Sequence, residues 1–311
     1  MKLGYIGLGR MGKNMVFRML EQGVEVVAWN RSPEPLEEAV KAGAIGAENI
    51  KDLVSKLDSP RIIWLMLPAG ETTDEFIDKL LPLLSKGDLI IDGANSFYKD
   101  TLRRADKLTS HEINFMDIGV SGGPAGARSG ACLMIGGAKE DFEKIETLAK
   151  LIAAPNAYQH LGTVGAGHFA KMVHNGIEYG MMESLAEGLA VLKNGPFKFD
   201  FNKLLDIYNH RSVIESRLVE WAQKAFVEDS ELSSTLSQIG SGGAGAKRIP
   251  GEADWTVEVA KELGIDTPAI ENAIKVREDS LQVEENSPNG FRNKVVSALR
   301  GQFGQHAVKK K

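Results

Sequence analysis

From residue 1 to about 165, short apolar runs alternate with longer stretches whose apolar positions repeat at helical spacing. That pattern predicts βαβ units stacked into a parallel sheet. The expected strands are Lys2 to Ile6, Val24 to Trp29, Arg61 to Leu67, Leu89 to Asp92, Asn114 to Gly119 and Ala131 to Gly136. After Gly167 the strand signal stops and helical periodicity takes over, beginning with His168 to about Leu192. At about 1.5 Å per residue that helix would span about 40 Å, long enough for the spine of a separate helical domain. The expected division is therefore an α/β domain over residues 1–165 and an all-helical domain over residues 166–311. The stretch GSGGAGAKRIPG, Gly240 to Gly251, reads as a flexible connection within the helical half. It lacks the GxxxxGK[ST] pattern and no strand leads into it, which weakens a phosphate-loop reading.

Composition adds exclusions. The 311 residues are 43% hydrophobic and 25% charged, ordinary for a globular protein. There is no apolar run of about 18 residues, and the opening MKLGYIGLG reads as a buried strand rather than a signal segment. A cytoplasmic protein without a membrane segment is expected. The single cysteine, Cys132, excludes an intrachain disulfide and a CxxC knuckle, and is expected to be a small buried strand residue. A formal net charge of -5 argues against general nucleic-acid binding, so an anionic substrate would need a locally basic site. The terminal Lys309, Lys310 and Lys311 read as a solvated tail.

Gly7, Gly9 and Gly12 form GxGxxG directly after the first strand and at the start of an amphipathic helix. A dinucleotide pyrophosphate needs this context of tight turn, close backbone approach and helix N-terminus. The first half is thus expected to be an α/β Rossmann dinucleotide-binding domain, followed by an all-α C-terminal domain. Gly7, Leu8, Gly9, Met11 and Gly12 are expected to line the cofactor; the competing reading is a glycine-rich turn without a ligand. At the end of the second strand an acidic residue would accept the ribose hydroxyls of NAD and repel the 2′-phosphate of NADP. This chain has Asn30, Arg31 and Ser32 there, and a guanidinium that can grip phosphate favours NADP, with NAD possible. Arg31 as a plain surface arginine is the alternative. Leu67, Pro68, Ala69 and Gly70 follow the third strand, and Asp92 to Ser96 follow the fourth. Both segments sit at carboxyl ends of strands, where open α/β sheets hold ligands. Asn95 can hydrogen-bond to a hydroxyl or carboxamide, or simply cap a turn.

Lys171, His174, Asn175 and Glu178 fall at i, i+3, i+4 and i+7, one polar stripe on the long helix. Met172, Val173, Ile177 and Met181 lie on other faces and are expected to pack the helix into the protein. Spacing alone leaves open a solvated face. The mixture of lysine, imidazole, amide and carboxylate beside Gly165-Ala166-Gly167 favours a site.

The block from Gly167 to Gly180, GHFAKMVHNGIEYG, resembles the signature of 6-phosphogluconate dehydrogenases. GLGRMGKN near the start, DGANSFY from Asp92 to Tyr98, VSGGPAGAR from Val120 to Arg128 and RGQFGQH from Arg300 to His306 agree with it. Together these matches run from residue 3 to residue 306, and the chain length fits the family's short form. The resemblance implies oxidative decarboxylation of 6-phospho-D-gluconate to D-ribulose 5-phosphate, a step of the pentose phosphate pathway and of gluconate utilisation. It implies Lys171 as base at the C3 hydroxyl, Glu178 as the acid that protonates the product carbon, and no metal. By the same resemblance Asn95, Ser121, Gly122, Gly123, His174 and Asn175 hold the carboxylate and hydroxyls of the sugar acid. Tyr179 and Arg277 hold its phosphate. Arg300 and His306 come from a second subunit of a homodimer or homotetramer, completing the active site.

One departure from the family stands out. A lysine or arginine usually precedes Trp-Thr, where this chain has Asp254 before Trp255 and Thr256. That puts one phosphate contact in doubt, with Lys247 or Arg248 as candidate replacements or solvated loop cations. Other β-hydroxyacid dehydrogenases, acting on 3-hydroxyisobutyrate or tartronate semialdehyde, share the first half and the lysine but do not need the phosphate-binding tail. A non-catalytic dinucleotide-binding protein would be expected to lack the lysine.

Overall fold

The computed structural model describes residues 1–240 and 250–304. Its first compact unit comprises Met1–Met172 and its second Val173–Lys311. The boundary falls inside one long helix.

In the first unit, β1 (Lys2–Ile6), β2 (Glu25–Trp29), β3 (Ile45–Gly46), β4 (Ile62–Leu65), β5 (Leu89–Asp92), β6 (Asn114–Ser121), β7 (Ala131–Gly136) and β8 (Ala153–Gly162) form one sheet. The strand order is β3-β2-β1-β4-β5-β6-β7-β8, and the first six are parallel, the doubly wound order of a Rossmann fold. Alternation along β1 sends Leu3 and Tyr5 into one apolar layer and Ile6 into the other. The first layer packs beneath α1 (Arg10–Glu21) and α7 (Lys139–Ile152), which bury Met15, Val16, Met19, Ile145 and Leu148. The second packs beneath α3 (Ile50–Ser55), α4 (Glu71–Leu80) and α5 (Tyr98–Thr109), which bury Leu53, Phe76, Ile77 and Leu108. The short α2 (Pro33–Lys41) and α6 (Gly123–Ser129) complete this unit's helices before the long one.

Several features differ from the sequence expectation, among them the added two-residue edge strand β3 beside β2. Strand β7 runs antiparallel to β6. The nine residues between Ser121 and Ala131 are too few for the crossover a parallel strand requires, about a dozen or more. A further strand, β8, pairs with β7 although its sequence AAPNAYQHLG shows no clear alternation. As an edge strand it tolerates Pro155 and a register shift, so the usual sequence signal is missing. Cys132 is exposed rather than buried: on β7 it points away from the face that Ala131 and Leu133 turn to the core.

The long helix α8 spans Ala166–Asn194. In the second unit it is followed by α9 (Phe201–Tyr208), α10 (Arg217–Glu228), α11 (Glu252–Glu262), α12 (Pro268–Asp279) and α13 (Pro288–Gly304). Helices α8, α9, α10 and α13 share a core that holds Met182, Ala186, Leu189, Leu205, Ala222, Phe226, Val296 and Leu299. Met172 is buried as expected, whereas Ile177 and Met181 are exposed, 52% and 46% accessible. They lie at i and i+4, on a face of α8 that the chain's own core does not cover.

Candidate active site

The switch in strand order between β1 and β4 opens a crevice at the carboxyl ends of these strands, and the glycine loop lies there. Gly7 has φ +101°, and a side chain on it would collide with the Met66 carbonyl. A Cβ on Gly12 would collide with the Gly7 carbonyl, so both glycines are required by the protein's own packing. Gly9 differs, because a Cβ there meets nothing within 4 Å. Gly9 caps α1 without a side-chain bond, and the first turn carries no acidic residue. The first-turn amides and the open space over Gly9 therefore suit an anion such as a dinucleotide pyrophosphate. Asn30 is drawn into the scaffold: its Oδ1 accepts from the Leu8 amide at 2.8 Å and its Nδ2 donates to the Ser32 carbonyl at 2.9 Å. Arg31 and Ser32 are exposed, and Met11 is half-buried.

Two loops follow the neighbouring strands. Leu67 to Gly70 turns at Gly70, with φ +88°, and the Thr73 hydroxyl donates to the Pro68 carbonyl at 3.0 Å. Asp92 to Ser96 curls around the buried Asp92 carboxylate, which accepts from the Ala94 amide at 3.0 Å and the Ser96 hydroxyl at 2.9 Å. Asn95 is exposed between buried Ala94 and Ser96. Beneath both loops lies Arg104, a residue the sequence did not single out. Its neighbour Arg103 is exposed on the same amphipathic helix, and nothing local distinguishes the two. Asp74 receives hydrogen bonds from both arginines. Burial raises the Asp74 pKa, but the Arg104 and Arg103 bonds outweigh it and hold the group below its ordinary value.

Lys171 is 6% exposed and packs its stem against β6 where Gly119 has no side chain; a Cβ on Gly119 would collide with the Lys171 Cβ. Gly119 and Ser121 share one face of β6, so Lys171 lies on the Ser121 side of the strand. Beyond Ser121, Gly122 and Gly123 both take positive φ, 119° and 62°, and open into α6. The start of α8 is fixed with similar closeness. The buried Asp117 carboxylate accepts from the Gly165 and His168 amides, each at 2.7 Å, and so caps the helix. A Cβ on Gly167 would crowd the carbonyls of Met134 and Asp117. Asp117 was invisible as a cap in the sequence because it lies 51 positions before His168.

In the helical unit, His174 shares a 2.9 Å hydrogen bond with the Asn175 side-chain oxygen and stands 3.8 Å from the Glu178 carboxylate. One residue further, the Tyr179 ring stacks against the Arg277 guanidinium at 3.2 Å from the ring centroid. Arg277 is 6% exposed, and its three guanidinium nitrogens lack hydrogen-bond partners among the described residues. Burial, opposed by Tyr179 and reinforced by the charge of Arg300, lowers its pKa to about 10. Glu183, whose charge acts on Arg277, is raised above its ordinary pKa by burial, against the pull of Arg292 at 3.3 Å. Arg300 bears on Arg277 within a single chain. Asp254 accepts from the Gly251 amide at 2.8 Å, so its carboxylate caps the start of α11. That gives the residue at the family's usual cation position a structural task. His306, Lys247 and Arg248 lie outside the described residues.

A glycine loop shaped for a pyrophosphate at the carboxyl ends of a doubly wound sheet marks the class as dinucleotide-binding proteins. Comparison with known proteins narrows this class. The model for the NAD binding domain of 6-phosphogluconate dehydrogenase matches residues 2–165, and that for the C-terminal domain of 6-phosphogluconate dehydrogenase matches residues 167–310. A Bacillus subtilis protein bearing the family name, YqeC, is 42% identical over 311 residues with full coverage of both chains. The NAD(+)-dependent, decarboxylating 6-phosphogluconate dehydrogenase of Haloferax volcanii is 36% identical, covering 100% of this chain and 99% of its own. Plasmodium falciparum 6-phosphogluconate dehydrogenase, solved in apo form, with NADP+ and with 6-phosphogluconate, superposes with a TM-score of 0.78 at 28% identity, covering 96% of this chain and 70% of that one.

The chain belongs to the 6-phosphogluconate dehydrogenase family. It is an NAD(P)-dependent oxidoreductase, with a Rossmann domain followed by a helical C-terminal domain. No helix among the described residues is long and apolar enough to cross a membrane.

Proposed function

We propose that this chain oxidises and decarboxylates 6-phospho-D-gluconate to D-ribulose 5-phosphate and carbon dioxide, with NADP preferred over NAD. The observation that carries the substrate class is Arg277. A buried cation whose nitrogens lack partners costs stability unless an anion joins it, and a phosphate stacked beside Tyr179 meets that need. Gly7 to Gly12 would hold the dinucleotide, with Arg31 reading its 2′-phosphate and the loops at Leu67 to Ala69 and Asn95 flanking the nicotinamide. When bound, the nicotinamide accepts the hydride from C3. Lys171 removes the C3 hydroxyl proton and then, as a cation, holds the C3 carbonyl oxygen while the C1–C2 bond breaks and its electron pair moves onto the carbon skeleton. Glu178 donates a proton to the carbon that becomes C1 of the product. Asn95, Ser121, Gly122, Gly123, His174 and Asn175 orient the carboxylate and hydroxyls.

We place the protein in the cytoplasm as a homodimer or homotetramer whose second subunit completes the site through Arg300 and His306. The exposed apolar pair Ile177 and Met181 supports an intersubunit surface. A second reading of Arg300 rests on its reach to Arg277 within one chain, which would make it a residue of its own subunit's pocket.

The test incubates the protein with NADP or NAD and either 6-phosphogluconate or 3-hydroxyisobutyrate, following reduced cofactor and carbon dioxide together. Equal amounts of both products from 6-phosphogluconate, at higher kcat/KM with NADP, are expected. Oxidation of only the unphosphorylated acid would overturn the reading.

A further inference from the structure

We propose that Arg104 is a positioning residue for hydride transfer, fixing the separation of the two loops that flank the nicotinamide. The inference rests on the placement of those loops proposed above. Arg104 is 1% exposed, and its guanidinium spends its donors on both loops at once. Nη1 donates to the Ser96 hydroxyl at 2.9 Å and the Asp92 carboxylate at 3.2 Å. Nη2 donates to the Gly70 carbonyl at 3.0 Å, and Nε donates to Asp74 at 2.7 Å. One planar group therefore joins the end of β5, the turn before α4 and the first turn of α4.

The chemistry explains why this residue is arginine. Its five N–H donors diverge in a fixed plane, so the angles between bonds to separate loops are set by the side chain itself. A lysine keeps the charge but offers one nitrogen, which cannot reach all four acceptors in the same geometry. Asn95 projects to the surface from between Ala94 and Ser96, and Ser96 is held jointly by Arg104 and Asp92. Gly70, with φ +88°, has no side chain with which to anchor its own loop. Loss of the fork would leave both loops in place along the chain but free to shift relative to each other. A shift of this kind lengthens the hydride path while leaving the adenine end of the site untouched, because Gly7 to Gly12 and Asn30 to Ser32 make none of these bonds.

The experiment compares wild type with Arg104→Lys, with Ser96→Ala as an independent cut of the same link, and with Arg103→Gln as an exposed control. Affinities for adenosine 2′,5′-bisphosphate, which lacks the nicotinamide half, and for NADP are measured on the ligand-free proteins together with melting temperature. Turnover of 6-phosphogluconate deuterated at C3 supplies the kinetic isotope effect. For Arg104→Lys, bisphosphate affinity within about twofold of wild type is expected, with NADP affinity at least about fivefold weaker. Its kcat is expected to fall at least about tenfold with a larger isotope effect, since small displacements of reacting groups are costly. Ser96→Ala should show the same pattern at smaller size, and Arg103→Gln none of it.

The inference is overturned if folded Arg104→Lys keeps NADP affinity and isotope effect within about twofold of wild type. It is equally overturned if bisphosphate and NADP affinities fall together with the melting temperature, the mark of a general structural role. If Arg104→Lys does not fold, Ser96→Ala decides by the same criteria. Binding needs no turnover, so a wild type inactive on 6-phosphogluconate would sink the proposed reaction and still leave the Arg104 comparison readable.

Discussion

Lys171 combines a reactive amine with a stem buried against the bare backbone of Gly119, so its position is set by packing rather than by a flexible chain of rotamers. Lys171→Met preserves the apolar stem and removes the proposed base. Turnover is expected to fall by about 10²–10⁴-fold, while NADP affinity, measured by titration, stays within about twofold; a near-normal rate would refute the base assignment. Arg277 makes the opposite bargain with stability. Its charge is buried with the guanidinium nitrogens lacking hydrogen-bond partners among the described residues, and burial lowers its pKa to about 10. The folded state therefore binds this proton less tightly than the unfolded chain, and the charged group opposes folding at every pH below that value. Arg277→Met is expected to stabilise the ligand-free protein by about 1–3 kcal/mol and to abolish the melting shift produced by 6-phosphogluconate. Calorimetry with and without substrate checks both effects. For Arg31→Asp the expected outcome is a swing toward NAD, read as the ratio of kcat/KM values, because a carboxylate repels the 2′-phosphate and accepts ribose hydroxyls. Unchanged discrimination would show that Arg31 does not read the phosphate.

Helix α8 depends on close approach to the sheet. Gly119, Gly136 and Gly167 each stand where an added Cβ would strike backbone or the Lys171 stem, and Asp117 caps the helix from within the sheet. Gly119→Ala must push α8 and β6 apart. The expected cost is about 1–3 kcal/mol of stability and up to about 100-fold in kcat, with bisphosphate affinity unchanged; an unaltered kcat would show that this contact does not position the lysine. The glycine loop was legible in the sequence, because turn, strand and helix start are adjacent along the chain. The polar stripe of α8 was legible as a stripe, since helical spacing is local. Its packing was not: Ile177 and Met181 share the apolar character of Met172 but face outward. Arg104 and Asp117 were missed for the same reason, since their partners lie on other elements.

On the scale of the whole molecule, a formal charge of -5 coexists with a local concentration of cations around Arg277 and Arg300. Whether Arg300 serves its own chain's site or a partner's is open to a direct experiment. In the proposed oligomer, Lys171→Met and Arg300→Ala chains unfolded and refolded together would mix, and one site would recover both residues if Arg300 acts across the interface. Recovered activity is the expected outcome; none would assign Arg300 to its own chain. By itself the sequence determined the parallel βαβ pattern, the dinucleotide loop, the helical second half and the family of reaction. Each is encoded by residues close together along the chain or by a block specific enough to be recognised. Only tertiary structure decided the reversal of β7, the edge strand β8, the exposure of Cys132, the cap made by Asp117 and the burial of Arg104 and Arg277. Those features depend on what packs against each side chain from distant parts of the chain, which local periodicity does not encode.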